Sequence, residues 1–165
     1  MIKVMFVCHG NICRSPMAEF VFRNMVEQKH LSHKFYIASS ATSREEIGNG
    51  VHKGTRKKLG EVGISCEGKT AVQLTKKDYE SYDYIICMES YNMKNTLRII
   101  ETDKDKKLHR LLDFSVNPRD IADPWYTGNF DETYNDIVEG CTALLNYIFK
   151  INITYTKENL LLRHK

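Results

Sequence analysis

The sequence lacks any long apolar run and any marked excess of one charge. The N-terminal apolar run KVMFV is too brief for the hydrophobic region of a secretory signal, which spans roughly 7–15 residues. The formal net charge is +3, and no stretch interleaves basic with aromatic residues as nucleic-acid-binding surfaces do. These absences predict a protein without a membrane segment and without a nucleic-acid partner.

The number and spacing of the cysteines indicate neither a disulfide framework nor a zinc centre. The chain has 5 cysteines, an odd number without regular pairing, which favours reduced thiols in a cytoplasmic protein. No second Cys/His pair stands ready to complete a metal site with Cys8 and Cys13. Cys66, Cys87 and Cys141 lie among apolar residues, which predicts small buried side chains. We therefore expect neither a metal nor another cofactor.

What the sequence does have is the size and the alternation of a single α/β domain. With 165 residues, 42% apolar and 27% charged, the chain can bury one substantial core. Apolar and β-branched runs predict strands at 3–8, 34–38, 82–88 and 108–112. Helical spacing predicts a helix after Pro16 with Ser15 as its N-cap, and further helices at 51–62, 90–100 and 131–149. Strands that alternate with helices indicate a three-layer fold with a parallel sheet between helices.

Three polar segments follow predicted strands and are candidates for a binding site. They are CHGNICRSP at 8–16, SSATSREEIGNG at 39–50 and DFSVNPRDIADPWYTGNFDE at 113–132. In open α/β sheets, ligands bind at the carboxyl ends of the strands, where such loops converge. The sequence therefore predicts that these segments form one site.

The first of these segments has the composition of an anion cradle that contains a nucleophile. Gly10 permits a tight turn, Asn11 tolerates left-handed backbone angles, and the guanidinium of Arg14 matches two phosphate oxygens. Backbone N–H groups at the helix start would stabilise both a phosphate and the thiolate of Cys8. Ser15 could donate a hydrogen bond to that sulfur. The predicted phosphate-binding loop consists of Cys8, His9, Gly10, Asn11, Ile12, Cys13, Arg14 and Ser15.

Each of these residues also has an ordinary structural interpretation. A cysteine at a strand end is usually just buried, and a lone arginine usually lies at the surface. A glycine loop before a helix is common in α/β proteins. The complete spacing, a cysteine followed after five residues by arginine and serine, is much rarer and favours a catalytic loop.

The segment VCHGNICRSPMAE closely resembles the signature of the low-molecular-weight protein tyrosine phosphatases. The similarity continues through ATSREEIGN, YDYIICM and ADPWYTGNFDETY and covers residues 1–150, which leaves 151–165 as a helical or disordered extension. The resemblance implies a four-stranded parallel sheet in the flavodoxin-like order 2-1-3-4 and hydrolysis of protein phosphotyrosine through a phosphocysteine. It implies Cys8 as nucleophile, Arg14 as phosphate clamp, Asn11 and Ser15 as supports, and Asp123 as general acid. Phosphate and other oxyanions would then act as inhibitors.

The predicted rim of the site departs from the commonest form of the family. Trp125 and Tyr126 could line a slot for a flat phenyl phosphate. Opposite them, Glu45 aligns with a position that is often aromatic, and His9 with a position that is often leucine or threonine. A histidine that supports the loop in many members aligns with Lys69. We expect these differences to affect the choice of substrate more than the chemistry, with Glu45 disfavouring acidic flanking residues.

Two related activities are the alternatives to a tyrosine phosphatase. An arsenate reductase of this fold needs two further cysteines close in sequence, whereas residues 94–96, after Cys87, read Lys-Asn-Thr. A protein arginine phosphatase of this family has a threonine where this chain has Ile12. A further prediction is that an oxidised Cys8 forms a disulfide with Cys13.

Overall fold

The computed structural model describes residues 1–162, and the side chains as far as residue 152. The strands are β1 (Ile2–Cys8), β2 (Phe35–Ala41), β3 (Tyr84–Cys87) and β4 (Leu108–Arg110). The helices are α1 (Arg14–Gln28), α2 (Lys53–Glu61), α3 (Lys76–Ser81), α4 (Ser90–Ile100), α5 (Pro124–Thr127) and α6 (Phe130–Leu162). Short 3₁₀ turns occupy Ser32–Lys34 and Leu111–Phe114.

All four strands are parallel and form one sheet in the order β2-β1-β3-β4. The central strand β1 is apolar on both faces, as a parallel strand covered by helices requires, and Val4, Phe6 and Val7 are fully buried. The predicted four-stranded sheet and its order 2-1-3-4 are therefore confirmed.

Helices cover both faces of the sheet and give the predicted three layers. On one face, Phe6 packs with Met17 and Phe22 of α1 and with Leu144 of α6. On the other face, a smaller cluster includes Met5, Val7, Ile85, Tyr79 of α3 and Ile100 of α4. The α/β fold class predicted from the alternating pattern is correct.

Several local predictions need correction. Helix α1 begins at Arg14 with Cys13 at its N-cap, so Ser15 lies inside the first turn and does not cap it. Strand β2 extends to Ala41, into the segment predicted as irregular, because residues 39–41 pair with the end of β1. The polar six-residue helix α3 was missed, and so was α5 within the predicted loop 113–132.

The last helix runs through residue 150 without a break. It begins one residue before the predicted start and continues to Leu162, well beyond the predicted end at residue 149. A division of the chain at residue 150 stays a prediction, and its final residues, 163–165, lie outside the described part. Among the described residues, no helix combines the length and the apolar character needed to cross a bilayer.

Candidate active site

The three polar segments predicted to meet do meet at the carboxyl edge of the sheet. Cys8 pairs with Ala41 at the ends of β1 and β2, and the next backbone N–H groups, of Thr42 and Ser43, donate to the carbonyls of Cys8 and His9. Ile121 N–H donates to the carbonyl of Met88 at the end of β3. One pocket results, lined by Cys8, His9, Gly10, Ile12, Cys13, Arg14, Glu45, Glu46, Asp123, Trp125 and Tyr126.

The sulfur of Cys8 lies in this pocket, within the loop of residues 8–15, the predicted phosphate loop. It accepts a hydrogen bond from the backbone N–H of Asn11 at 3.3 Å, and Ser15 Oγ lies 3.0 Å from it. Cys8 is only 3% exposed. The sulfur is therefore buried, with a backbone N–H group and a hydroxyl group within hydrogen-bond distance of it.

Asn11 holds the loop in its turn. Its backbone has a φ of 57°, in the left-handed region that asparagine tolerates better than most residues. Its side-chain amide donates to Ser15 Oγ at 2.8 Å and to Ser39 Oγ at 2.9 Å, and its Oδ1 accepts from Val72 N–H at 3.2 Å. A buried side chain with all of these partners fixes the loop in one conformation.

A second layer of polar side chains lies beneath the loop, and the sequence did not reveal most of it. Ser39 Oγ donates to Glu19 at 2.6 Å, and Lys69 Nζ donates to the Ser39 carbonyl at 2.9 Å. Lys69 Nζ also lies 3.7 Å from the Glu19 carboxylate. Burial lowers the pKa of Lys69, while Glu19 opposes that shift. The one available signal for Glu19 was a carboxylate on the apolar face of α1.

Arg14 is buried and contacts one backbone carbonyl and two carboxylate groups. Its guanidinium donates to the Ile121 carbonyl at 2.8 Å and lies 3.1 Å from Glu89 Oε2 and 3.2 Å from Asp123 Oδ2. Burial alone would lower the pKa of Arg14, but Cys8, Glu89 and Asp123 outweigh it and raise that pKa. Glu89 was missed, although it follows directly on the recognised segment YDYIICM.

The carboxyl group of Asp123 is held at both oxygens. Oδ1 accepts the backbone N–H of Trp125 at 3.1 Å and so caps α5, while Oδ2 faces Arg14. Arg110 contacts the loop of residues 120–127, the predicted acid loop: its Nη1 lies 2.9 Å from the carboxylate of Asp120. Asp123 therefore has a fixed carboxyl group in the pocket that Cys8 also lines.

The rim of the pocket (Glu45, Glu46, Trp125 and Tyr126) has two chemically different sides. Trp125 and Tyr126 are 58% and 85% exposed. On the other side, Glu45 lies 3.1 Å from His9 Nε2, and Glu46 accepts from Asn49 at 2.7 Å. The structure thus brings the predicted rim residues to one opening and adds Glu46 to them.

The other cysteines differ from Cys8 in their surroundings. All five cysteines are buried free thiols, in agreement with the prediction for Cys66, Cys87 and Cys141. Burial, with a contribution from the nearby Cys8, raises the pKa of Cys13 to about 12. Within the described part of the chain, no three His, Cys, Asp or Glu side chains are grouped so as to hold a metal ion.

Comparison with known proteins finds relatives from a single family, and they match most of the chain. The profile of the family described as Low molecular weight phosphotyrosine protein phosphatase matches residues 3–153. The low molecular weight protein-tyrosine-phosphatase YfkJ of Bacillus subtilis is 41% identical over 152 residues, which cover 91% of this chain and 97% of YfkJ. PtpA of Staphylococcus aureus is 35% identical over 151 residues, covering 91% and 96% of the two chains.

Solved structures give the same picture. The crystal structure of B. subtilis YfkJ superposes with a TM-score of 0.87 at 41% identity and covers 91% of this chain and 96% of its own. A low molecular weight protein tyrosine phosphatase from Streptococcus pyogenes gives 0.80 at 40% identity, with coverages of 89% and 93%. Vibrio vulnificus Wzb in complex with benzylphosphonate gives 0.77 at 27% identity, with coverages of 88% and 98%.

Proposed function

Because the chain belongs to the low molecular weight phosphotyrosine protein phosphatase family and is a phosphatase, we propose that it hydrolyses protein phosphotyrosine through a phosphocysteine on Cys8. The observation that carries this proposal is the arrangement around the sulfur. A buried Cys8 Sγ accepts the Asn11 N–H at 3.3 Å, in a pocket that Arg14 and Asp123 also line.

In the first step, the Cys8 thiolate attacks phosphorus and the bond between phosphorus and the tyrosine oxygen breaks. Asp123 gives its proton to the departing oxygen, which leaves as neutral tyrosine. Arg14 and the loop N–H groups hold the three remaining phosphate oxygens, where charge is concentrated in phosphoryl transfer. A phosphate bound there competes with Asp123 for Arg14, and this frees the carboxyl group to carry a proton.

In the second step, water attacks the phosphocysteine. Asp123 takes a proton from that water, the bond between sulfur and phosphorus breaks, and inorganic phosphate leaves. Ser15, whose hydroxyl oxygen lies 3.0 Å from the sulfur, can donate a hydrogen bond to the thiolate that forms. The product phosphate, and oxyanions of similar shape, would inhibit by occupying the same cradle.

An aromatic phosphomonoester is the substrate class that the rim favours. Trp125 and Tyr126 offer aromatic surface beside a cradle whose nucleophile is deep, so a flat phenyl ring fits better than a short serine chain. The relatives named above are protein-tyrosine-phosphatases, and Wzb binds a benzyl phosphonate. Arsenate reduction is disfavoured because Cys87, which its chemistry would call on, is fully buried, and burial raises its pKa to about 12.

The acidic side of the rim supports a narrower proposal about the protein substrate. Glu45 and Glu46 place two carboxylates at the opening, so we propose that peptides with basic flanking residues are preferred to acidic ones. The five free thiols fit a reducing compartment, which supports action in the cytoplasm. We further propose residues 1–150 as the catalytic domain and the remainder as an extension.

Turnover of three matched peptide sets tests the proposal. Phosphotyrosine, phosphoserine and phosphoarginine peptides are each compared with acidic and with basic flanks. We expect phosphotyrosine to have the highest kcat/KM and basic flanks to raise it further. A preference for phosphoarginine would contradict the substrate assignment while leaving the role of Cys8 intact.

A further inference from the structure

The start of α2 lies between the phosphate loop and the acid loop. The backbone N–H of His52 donates to the Ile12 carbonyl at 2.8 Å, and Thr55 Oγ1 donates to the Cys13 carbonyl at 3.1 Å. Thr55 is fully buried. These two hydrogen bonds fix the position of His52 relative to the phosphate loop.

The imidazole of His52 reaches from this fixed position to the acid loop. Its Nδ1 accepts the Gly54 N–H at 3.0 Å and so caps α2. Its ring stacks on Phe130, with centroids 5.3 Å apart and planes 14° apart, and meets Trp125 edge to face at 5.7 Å. Gly54 makes room for this cluster, because a Cβ there would lie 2.4 Å from the Phe130 ring.

Trp125 in turn is connected directly to the proposed general acid. It lies two residues after Asp123, and its backbone N–H donates to Asp123 Oδ1 at 3.1 Å. A contact that fixes the indole of Trp125 therefore also fixes the direction of the Asp123 carboxyl group.

We propose that His52 is a positioning residue that holds the carboxyl group of the general acid, Asp123, at a fixed position relative to the phosphate loop. The proposal rests on the proposed function, since it assigns to Asp123 the role of proton donor. His52 acts through its ring on Trp125, whereas its Nδ1 serves the separate purpose of capping α2. Small displacements of a catalytic group can cost a large part of its effect, so loss of the ring contact should weaken protonation of the leaving group.

Two substitutions separate the ring from the cap. His52→Asn supplies a side-chain oxygen that can accept the Gly54 N–H, because asparagine is a favoured N-cap residue, but it removes the ring. His52→Phe keeps a ring against Trp125 and Phe130 but removes the acceptor. His33→Asn, at an exposed site in the Ser32–Lys34 turn, is the matched control.

The experiment measures kcat/KM for a series of aryl phosphates whose leaving groups differ in pKa. For His52→Asn we expect a loss of about tenfold on poor leaving groups and of less than about threefold on good ones. Its phosphate inhibition constant should match that of wild type, whereas its midpoint of thermal unfolding should fall somewhat, because the ring contacts with Phe130 and Trp125 are lost. His52→Phe should keep the wild-type leaving-group dependence and unfold at a lower temperature, and His33→Asn should change neither quantity.

An equal loss across leaving groups in His52→Asn, or no loss, would overturn the inference. It would also be overturned if His52→Phe lost as much selectivity on poor leaving groups as His52→Asn does. In both cases wild type remains an active aryl phosphatase. An inactive wild-type protein would instead overturn the proposed function, and the inference with it.

Discussion

The floor of the pocket (Cys8, Asn11, Cys13, Arg14 and Ser15 of the phosphate loop) and its rim differ in burial and in the number of their polar contacts. On the floor, Asn11, Arg14 and Ser15 are at most 1% exposed, and each has several polar partners. On the rim, Trp125 and Tyr126 are largely exposed, and the contact between His9 and Glu45 is exposed to solvent. The part that we propose to carry out the reaction is thus fixed by burial, while the part that we propose to contact the substrate protein is held by few contacts.

This contrast has an energetic basis. Removing one partner of a buried hydrogen bond leaves the other unsatisfied, at a cost of about 1–3 kcal/mol and more for charged groups. Most exposed substitutions change stability by less than about 0.5 kcal/mol. Floor residues are therefore constrained by both stability and chemistry, whereas rim residues can differ between relatives at little cost to the fold.

The largest expected effect comes from the floor. Cys8→Ser should lower kcat by at least about 10⁴-fold, because a hydroxyl is a far weaker nucleophile than a thiolate at neutral pH. The cradle itself remains, so phosphate should still bind with an affinity close to that of wild type, as isothermal titration calorimetry can measure. Appreciable steady-state turnover by this variant would exclude Cys8 as the nucleophile.

Asp123 lies between the two regions, because it contacts Arg14 on the floor and Trp125 on the rim. Asp123→Ala should lower kcat/KM on aryl phosphates with poor leaving groups by about 10²–10⁴-fold and have much less effect on good ones. Asp123→Asn is the control, since it can still cap α5 but has no carboxyl proton. If the Asn variant recovered wild-type activity, Asp123 would only shape the loop.

The same contrast explains how much the sequence could predict. The phosphate loop was predictable because its residues are adjacent, and one strand, turn and helix place all of them. Glu89 precedes α4 and Ser39 lies on β2, and only tertiary packing brings them to Arg14 and Asn11. The resemblance to the family drew attention to Lys69, but the sequence did not predict its contacts with Ser39 and Glu19.

Secondary structure was hardest to predict in segments that consist mainly of polar residues. Helix α3 buries only Tyr79 within an otherwise polar segment, so the apolar spacing that indicates a helix is missing. Ser15 was a reasonable N-cap by composition, yet its hydroxyl is used by Asn11 and Cys8 instead. In α3 the available local signal is the capping box of Thr75 and Asp78 rather than apolar spacing.

A smaller effect is expected from the second cysteine of the floor. Peroxide should oxidise the Cys8 thiolate to a sulfenic acid, and the Cys13 thiol should then condense with it, releasing water and forming a disulfide. The pKa of about 12 keeps Cys13 protonated at neutral pH, so Cys8 reacts first. Cys13→Ser should therefore recover several-fold less activity in dithiothreitol after peroxide, whereas Cys66→Ser should recover as wild type does. Equal recovery in the Cys13 and Cys66 variants would contradict this role.

The smallest effect is expected at the rim. Substitutions there test whether the exposed rim affects only the choice of substrate and not the chemical step. Glu45→Trp should add an aromatic wall opposite Trp125 and raise kcat/KM for phosphotyrosine peptides by about 2- to 10-fold, the range that an aromatic pair of 0.5–1.5 kcal/mol gives. Glu45→Gln removes the charge without adding a wall, so it should reduce the preference for basic flanks but leave kcat unchanged. Because neither variant touches the floor, the leaving-group dependence should stay that of wild type in both. A change in that dependence would mean that floor and rim are coupled through His9, which lies next to Cys8 and pairs with Glu45.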